Sequence, residues 1–165
     1  MRSLWRGLAI FLLGGIFGTV FGIAAGFFMF PFVFPPPPAS EQLGEADLTP
    51  VHASGRFIHV NPSDPVHWGR GKVSVRARSV FLEPDFEVGP GPKYHVYLVP
   101  KAKVRSESDV KGTMFIDLGR LRAFKGSQRY AIPEGVELKN YPSVVIWCEA
   151  FGVLISPADL EPAGS

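Results

Sequence analysis

The sequence predicts an all-β fold, an antiparallel β-sandwich, behind one N-terminal transmembrane helix. Three observations lead there. Eight of the 14 Phe lie in the first 34 residues, and no charged side chain occurs between Arg6 and Glu41. Residues 39–165 carry 11 Pro and 12 Gly, too closely spaced for a long helix, with short β-branched and aromatic runs between them. Eight such runs fit two packed antiparallel sheets, because each strand then has one face to bury.

The helix comes first. From Leu8 to Phe30 there are 23 uncharged, largely apolar residues, and at ~1.5 Å per residue a helix of that length crosses a hydrocarbon core of ~30 Å. Arg2 and Arg6 precede it while Glu41, Glu45 and Asp47 follow it, so the excess of basic residues holds the N-terminus in the cytoplasm and exports the remainder to the periplasm or cell exterior. Ala24-Ala25-Gly26 resembles a signal-peptide cleavage site. The apolar run continues past it to Phe34, which favours an uncleaved anchor with aromatic residues at the outer interface. Gly14, Gly18, Gly22 and Gly26 recur at every fourth position. Such a stripe leaves a groove in which a second helix can pack, so the anchor is expected to contact another membrane protein as well as the lipid bilayer.

Residues 1–34 therefore form a cytoplasmic stub and span, and residues 35–54 a stalk opened by Pro35-Pro36-Pro37-Pro38, which has no backbone donors and favours extended geometry. The domain follows over 55–160, with a tail over 161–165. Its clearest strand is Lys72–Arg78, where alternation places Val73, Val75 and Ala77 on the buried face. The other expected strands are Arg56–Val60, Ser79–Leu82, Tyr94–Val99, Thr113–Leu118, Gln128–Ile132, Val144–Cys148 and Phe151–Ile155. Turns are expected at Asn61-Pro62, Gly89-Pro90-Gly91-Pro92, Lys125-Gly126-Ser127 and Glu134-Gly135.

Composition removes several classes of function. Taking Arg2 and Arg6 from the 17 basic residues leaves 15 against 15 acidic ones, and no basic stripe with interleaved aromatics stands out, so nucleic acid is not an expected partner. One cysteine excludes an internal disulfide, a CxxC dithiol and a multi-Cys zinc site. There is no GxSxG elbow, P-loop or HExxH, and Asp85, Asp117 and Glu149 read as separate solvated or turn-capping carboxylates. No enzymatic constellation emerges.

The remaining candidates are a thiol and imidazoles. Alternation along Val144, Ile146 and Cys148 puts the sulfur on a hydrophobic face, where free cysteine behaves as a small core residue, and no cationic neighbour in sequence favours its thiolate. His67 follows the turn-rich segment Asn61-Pro62-Ser63-Asp64-Pro65, and His95 lies between Tyr94 and Tyr97 in an expected strand, so His67, His95 and Tyr97 are candidate ligand-binding residues. Their spacing specifies no metal. A blue-copper set of two His, Cys and Met would place ligands after the cysteine, and no His or Met follows Cys148.

Several separated motifs occur in a fixed order: Gly55-x-Phe57, His67-x-Gly69-x-Gly71-x-Val73, Gly91-Pro92-x-x-His95-Val96-Tyr97-Leu98, Leu118-Gly119-x-Leu121, Lys125-Gly126-x-Gln128-x-Tyr130 and Val144-Val145-Ile146-Trp147-Cys148-x-x-Phe151. In that order they resemble the DM-thirteen domain family from about Gly55 to Leu160. The resemblance implies a small extracytoplasmic β-sandwich, sometimes found beside haem-binding and membrane-cytochrome domains, with an electron-transfer role proposed around its cysteine. It thereby makes Cys148 the candidate redox residue. Lys93 stands where the family commonly has Asp, which removes a carboxylate from that turn. The first expectation is a non-enzymatic anchored subunit that docks its β-sandwich onto a membrane complex concerned with electron transfer and needs no cofactor of its own. The alternative is a redox protein using Cys148, with His67 or His95, and a haem or copper.

Overall fold

The computed structural model describes residues 2–164, which divide into an N-terminal unit ending at Pro35 and a β unit beginning at Pro36. Helix α1 (Arg2–Val33) forms the first. Its stretch Leu4–Pro31, 28 residues containing an 18-residue window of mean hydropathy 2.3, is long and apolar enough to cross a membrane. A Cβ built at Gly14, Gly18, Gly22 or Gly26 meets no atom within 4 Å, so the stripe is open along the helix.

The β unit contains β1 (Ala39–Ser40), β2 (Val51–Phe57), β3 (Gly69–Arg70), β4 (Lys72–Arg76), β5 (Ser79–Leu82), β6 (Glu87–Val88), β7 (Tyr94–Val99), β8 (Ile116–Arg120), β9 (Gly126–Ala131), β10 (Ser143–Cys148) and β11 (Val153–Pro162). Nine of them form one sheet in the order β1-β9-β5-β4-β2-β11-β10-β7-β8, and β3 pairs with β6 beside it. All pairings are antiparallel except β1 with β9. The fold is thus all-β, and the expected sandwich arises from one curled sheet. Val73, Val75, Val80, Leu82 and Tyr130 on one half meet Val96, Leu98, Val144, Ile146 and Ile155 on the other in a common core.

The strand positions follow local chemistry; several expected ends move by a few residues, the expected turn at Lys125-Gly126-Ser127 runs into β9 (Gly126–Ala131), and three further differences from the sequence reading shape the domain. Arg76 pairs with Ser79, so Ala77-Arg78 is a two-residue hairpin turn, and Ala77 is exposed where alternation placed it inside. The second strand begins at Val51, and the last runs on to Pro162, because β2 and β11 pair with each other through Ala53↔Pro162. Residues 39–54, read as stalk, are bonded to the domain. Ala39 and Ser40 pair with Gly126 and Ser127, Glu41 forms an ion pair with Arg122 at 2.7 Å, and buried Asp47 is bonded to Arg129. Paired carboxylates and bare strand edges do not show as periodicity, which is why this segment reads as linker.

A second layer covers the outer face of β7 and β10. Val104 and Val110, from the loop between β7 and β8, pack on Tyr97, Val99, Val145, Trp147 and Leu154. Asp109 holds that loop in shape by accepting the backbone N–H groups of Arg105 and Ser106 at 2.9 and 3.0 Å. Arg105 ties it to β11 through a bidentate pair with Asp159 at 3.1 and 2.5 Å. β10 is consequently buried at all six positions.

The Asp47–Arg129 pair gives a test of the N-terminal attachment. Arg129's hydrogen bond holds the Asp47 carboxyl below its ordinary value of 3.8 against the opposing effect of burial. Its stabilisation is therefore complete above about pH 4 and is lost as pH falls through the lowered folded value. Asp47→Asn is expected to cost about 1–3 kcal/mol at neutral pH, below the full penalty of breaking a buried pair because Arg129 is partly exposed. Urea unfolding is expected to show the gap between variant and wild type closing toward pH 3.

Candidate functional site

The chemically able side chains gather at one end of β7 and β10, on both faces. In register, Tyr94 lies opposite Cys148, His95 opposite Trp147 and Tyr97 opposite Val145. With a two-residue period, Tyr94, Val96, Ile146 and Cys148 face the main core, while Tyr97 and Trp147 join the outer cluster. His95 shares the outer face, its ring edge-on to Tyr97 with centroids 6.3 Å apart. Cys148 and His95 therefore lie on opposite faces of the sheet and form no common coordination set.

The inner half is dry and capped. Cys148 is 1% exposed, and its thiol donates to the Pro92 carbonyl at 3.2 Å. The Gly89–Lys93 turn lies over it and over Tyr94. A Cβ at Gly91 would sit 2.1 Å from the Tyr94 hydroxyl oxygen, so only glycine fits this close approach. Burial, reinforced by the nearby Asp64 carboxylate, pushes the Tyr94 phenol well above its ordinary value. It stays neutral.

The outer half is polar and reaches solvent. His95 Nδ1 lies 3.0 and 2.9 Å from the two oxygens of Asp117, and its Nε2 lies 3.5 Å from Glu149 Oε2. Tyr97 donates its hydroxyl to Glu149 Oε1 at 3.1 Å, and Lys93 Nζ approaches Oε2 at 3.0 Å. The Lys93 ammonium, with help from the Tyr97 hydroxyl, holds the Glu149 carboxyl below its ordinary range despite some desolvation. Burial and the bond to Glu149 push the Tyr97 phenol up. Tyr97 also stacks on Phe115 at 4.3 Å and 12°, closing the site on the β8 side.

Asp117 reaches His95 through a β-bulge. β8 pairs Asp117 with Tyr97 but Arg120 with His95, so the register shifts between them. Gly119 absorbs the extra residue at φ 116°, and its N–H donates to Asp117 Oδ1 at 2.8 Å, which aims the carboxylate at the imidazole. Sequence reading treated Asp117 and Glu149 as isolated. They come from different strand ends, and the only local signal was Gly119 directly after the expected strand Thr113–Leu118.

His67 belongs to a separate arrangement. Its Nδ1 lies 2.7 Å from Asp64 Oδ2, and Asp64 Oδ1 accepts the N–H groups of Val66 and His67 at 2.8 and 3.1 Å. These bonds, the imidazole's foremost, lower the Asp64 carboxyl to about 2. The turn expected over Asn61–Pro65 is thus built around this carboxylate, with His67 as its partner.

Two of the three candidate ligand residues, His95 and Tyr97, share one site, His67 occupies another, and Cys148 lies beneath the first on the far side of the sheet. Comparison with known families matches residues 62–160 to the family described as Electron transfer DM13. Comparisons with curated proteins and with solved structures give no match. The matched segment includes His67, His95, Tyr97, Asp117, Cys148 and Glu149 and spans more than half of the 165 residues. The chain accordingly belongs to the Electron transfer DM13 family, the family that its ordered glycine, histidine and cysteine motifs resemble.

Proposed function

We propose that this chain is an anchored subunit that docks its β domain onto a membrane complex engaged in electron transfer, outside the cytoplasm. The observation that carries the reading is the joining of one apolar helix to a domain of an electron-transfer family. The basic residues before the span support an exported domain. The glycine stripe supports a helix partner, since a single anchor needs no groove to stay in the bilayer. A docking role accords with Cys148 being enclosed by the Pro92 carbonyl and the core, where a thiol is a packing group.

The second reading, redox chemistry at Cys148, is favoured by the family description and by the thiol lying opposite Tyr94 under a fitted turn. It requires a route from the sulfur to an electron partner through that turn. The outer His95 cluster serves neither reading as a Cys148 ligand, because the sheet separates them.

Orientation is tested by protease added to intact spheroplasts. Digestion of the domain with survival of a membrane-bound N-terminal stub is expected, and full protection of the domain would reverse the topology.

Replacing Gly18 and Gly22 by Leu is expected to preserve insertion while detaching the chain from its complex in mild detergent. An unchanged complex would make the stripe incidental.

The two readings part at Cys148. The folded thiol is expected to resist a small maleimide until the domain unfolds, and Cys148→Ala is expected to cost about 1–2 kcal/mol with the complex intact. Rapid labelling of the folded chain, or loss of electron transfer in a stable Cys148→Ser protein, would promote the redox reading instead.

A further inference from the structure

The outer cluster has the donor set and spacing of a metal site. One ligand atom each from His95, Asp117 and Glu149 lies within 4.8 Å of the others. The imidazole is fixed from behind by Asp117 at Nδ1, which leaves Nε2 facing Glu149. The 3.5 Å between Nε2 and Glu149 Oε2 is long for a hydrogen bond. It matches the edge of a coordination tetrahedron, since bonds of ~2.0–2.2 Å place neighbouring ligands ~3.3–3.5 Å apart. The Tyr97 hydroxyl occupies the other Glu149 oxygen, Oε1, at 3.1 Å. Each facing donor thus has its own outer partner, which is how protein metal sites orient imidazole and carboxylate ligands.

We propose that His95 Nε2 and Glu149 Oε2 bind a divalent transition-metal ion of the zinc class, with Asp117 and Tyr97 as positioning residues, water completing the coordination, and copper(II) serving as a spectroscopic probe of the same donors. Mixed imidazole and carboxylate donors suit these ions better than calcium or magnesium, which prefer all-oxygen shells. Solvent has a path in, because the side chains of His95 and Glu149 are 15% and 28% exposed. Lys93 is the competitor. Its ammonium lies 3.0 Å from the same Glu149 oxygen, and its side chain is 58% exposed, so it can leave for water when a dication takes its place. The inference stands apart from the docking role and from Cys148, which faces the other side of the sheet.

The test uses the full chain in detergent, stripped with a chelator and titrated separately with Zn²⁺ and Cu²⁺ against a chromophoric competitor. One ion per chain is expected. His95→Ala is expected to abolish uptake, and Asp117→Asn to weaken it about 10- to 100-fold. Lys93→Ala is expected to tighten it, whereas His67→Ala, which removes the other carboxylate-bonded imidazole, leaves it unchanged. The Cu²⁺-loaded chain is expected to show one coordinated imidazole nitrogen by electron paramagnetic resonance. Absence of stoichiometric uptake in both wild type and Lys93→Ala would overturn the proposal. Uptake that survives His95→Ala, or is lost in His67→Ala, would also overturn it. Should His95→Ala fail to fold, the sign of the Lys93→Ala effect decides, and an unchanged or weaker affinity counts against the site.

Discussion

Strands β7 and β10 are covered on both faces, and their two-residue period therefore decides which environment each functional group inhabits. A thiol at Cys148 enters the dry core, and the next residue, Glu149, turns to the wet face. The same step separates Tyr94 from His95 on the neighbouring strand. A slip of one residue would bury the Glu149 carboxylate and the imidazole without partners, an outcome costly enough to fix the register from both sides. The site is a consequence of that register, because the His95 cluster draws one residue from each of β7, β8 and the end of β10.

Burial on both faces in turn depends on the long loop between β7 and β8. An antiparallel strand usually leaves one face to water. Here Val104 and Val110 cover Val145 and Trp147, and Arg105 anchors the cover to Asp159. The cover stops short of His95, where the apolar layer gives way to Asp117, Glu149 and Lys93. The boundary between packed and solvated outer face thus passes beside Tyr97, whose ring stacks on Phe115 while its hydroxyl reaches Glu149.

Much of this was legible in the sequence, and the parts that were not share a physical cause. The apolar span and the all-β class follow from composition and spacing, and the Val144, Ile146, Cys148 face follows from strict alternation. Strand β4 kept its buried valines but ended at Arg76, because a two-residue turn leaves no mark on a pattern of alternating apolar residues. Residues 39–54 were read as linker because Glu41 and Asp47 are polar in sequence, although Arg122 and Arg129 draw them against the domain. Asp117 and Glu149 escaped for a related reason. Their meeting depends on a bulge at Gly119 and on strand order, which are properties of pairing between distant segments. His95 stood out only as an imidazole among aromatics, whereas its chemistry comes from the two carboxylates that pairing brings to it.

The Gly89–Lys93 turn joins the two sides of the sheet. Pro92 offers its carbonyl to the Cys148 thiol inside, and the following residue, Lys93, accepts the Glu149 N–H at 3.1 Å and places its ammonium on the Glu149 carboxylate outside. Two consecutive residues of the turn are thus bonded to Cys148, the last residue of β10, and to Glu149, which follows it, one pair on each face. Lys93 adopts φ 51°, a left-handed conformation that disfavours a long side chain, so the turn is held by these bonds and by the close fit of Gly91 over Tyr94. A change in the partner of the Glu149 carboxylate acts directly on Lys93, and one peptide unit separates Lys93 from the carbonyl that caps the sulfur. The exposed cluster and the buried thiol share no ligand, yet the same turn holds both.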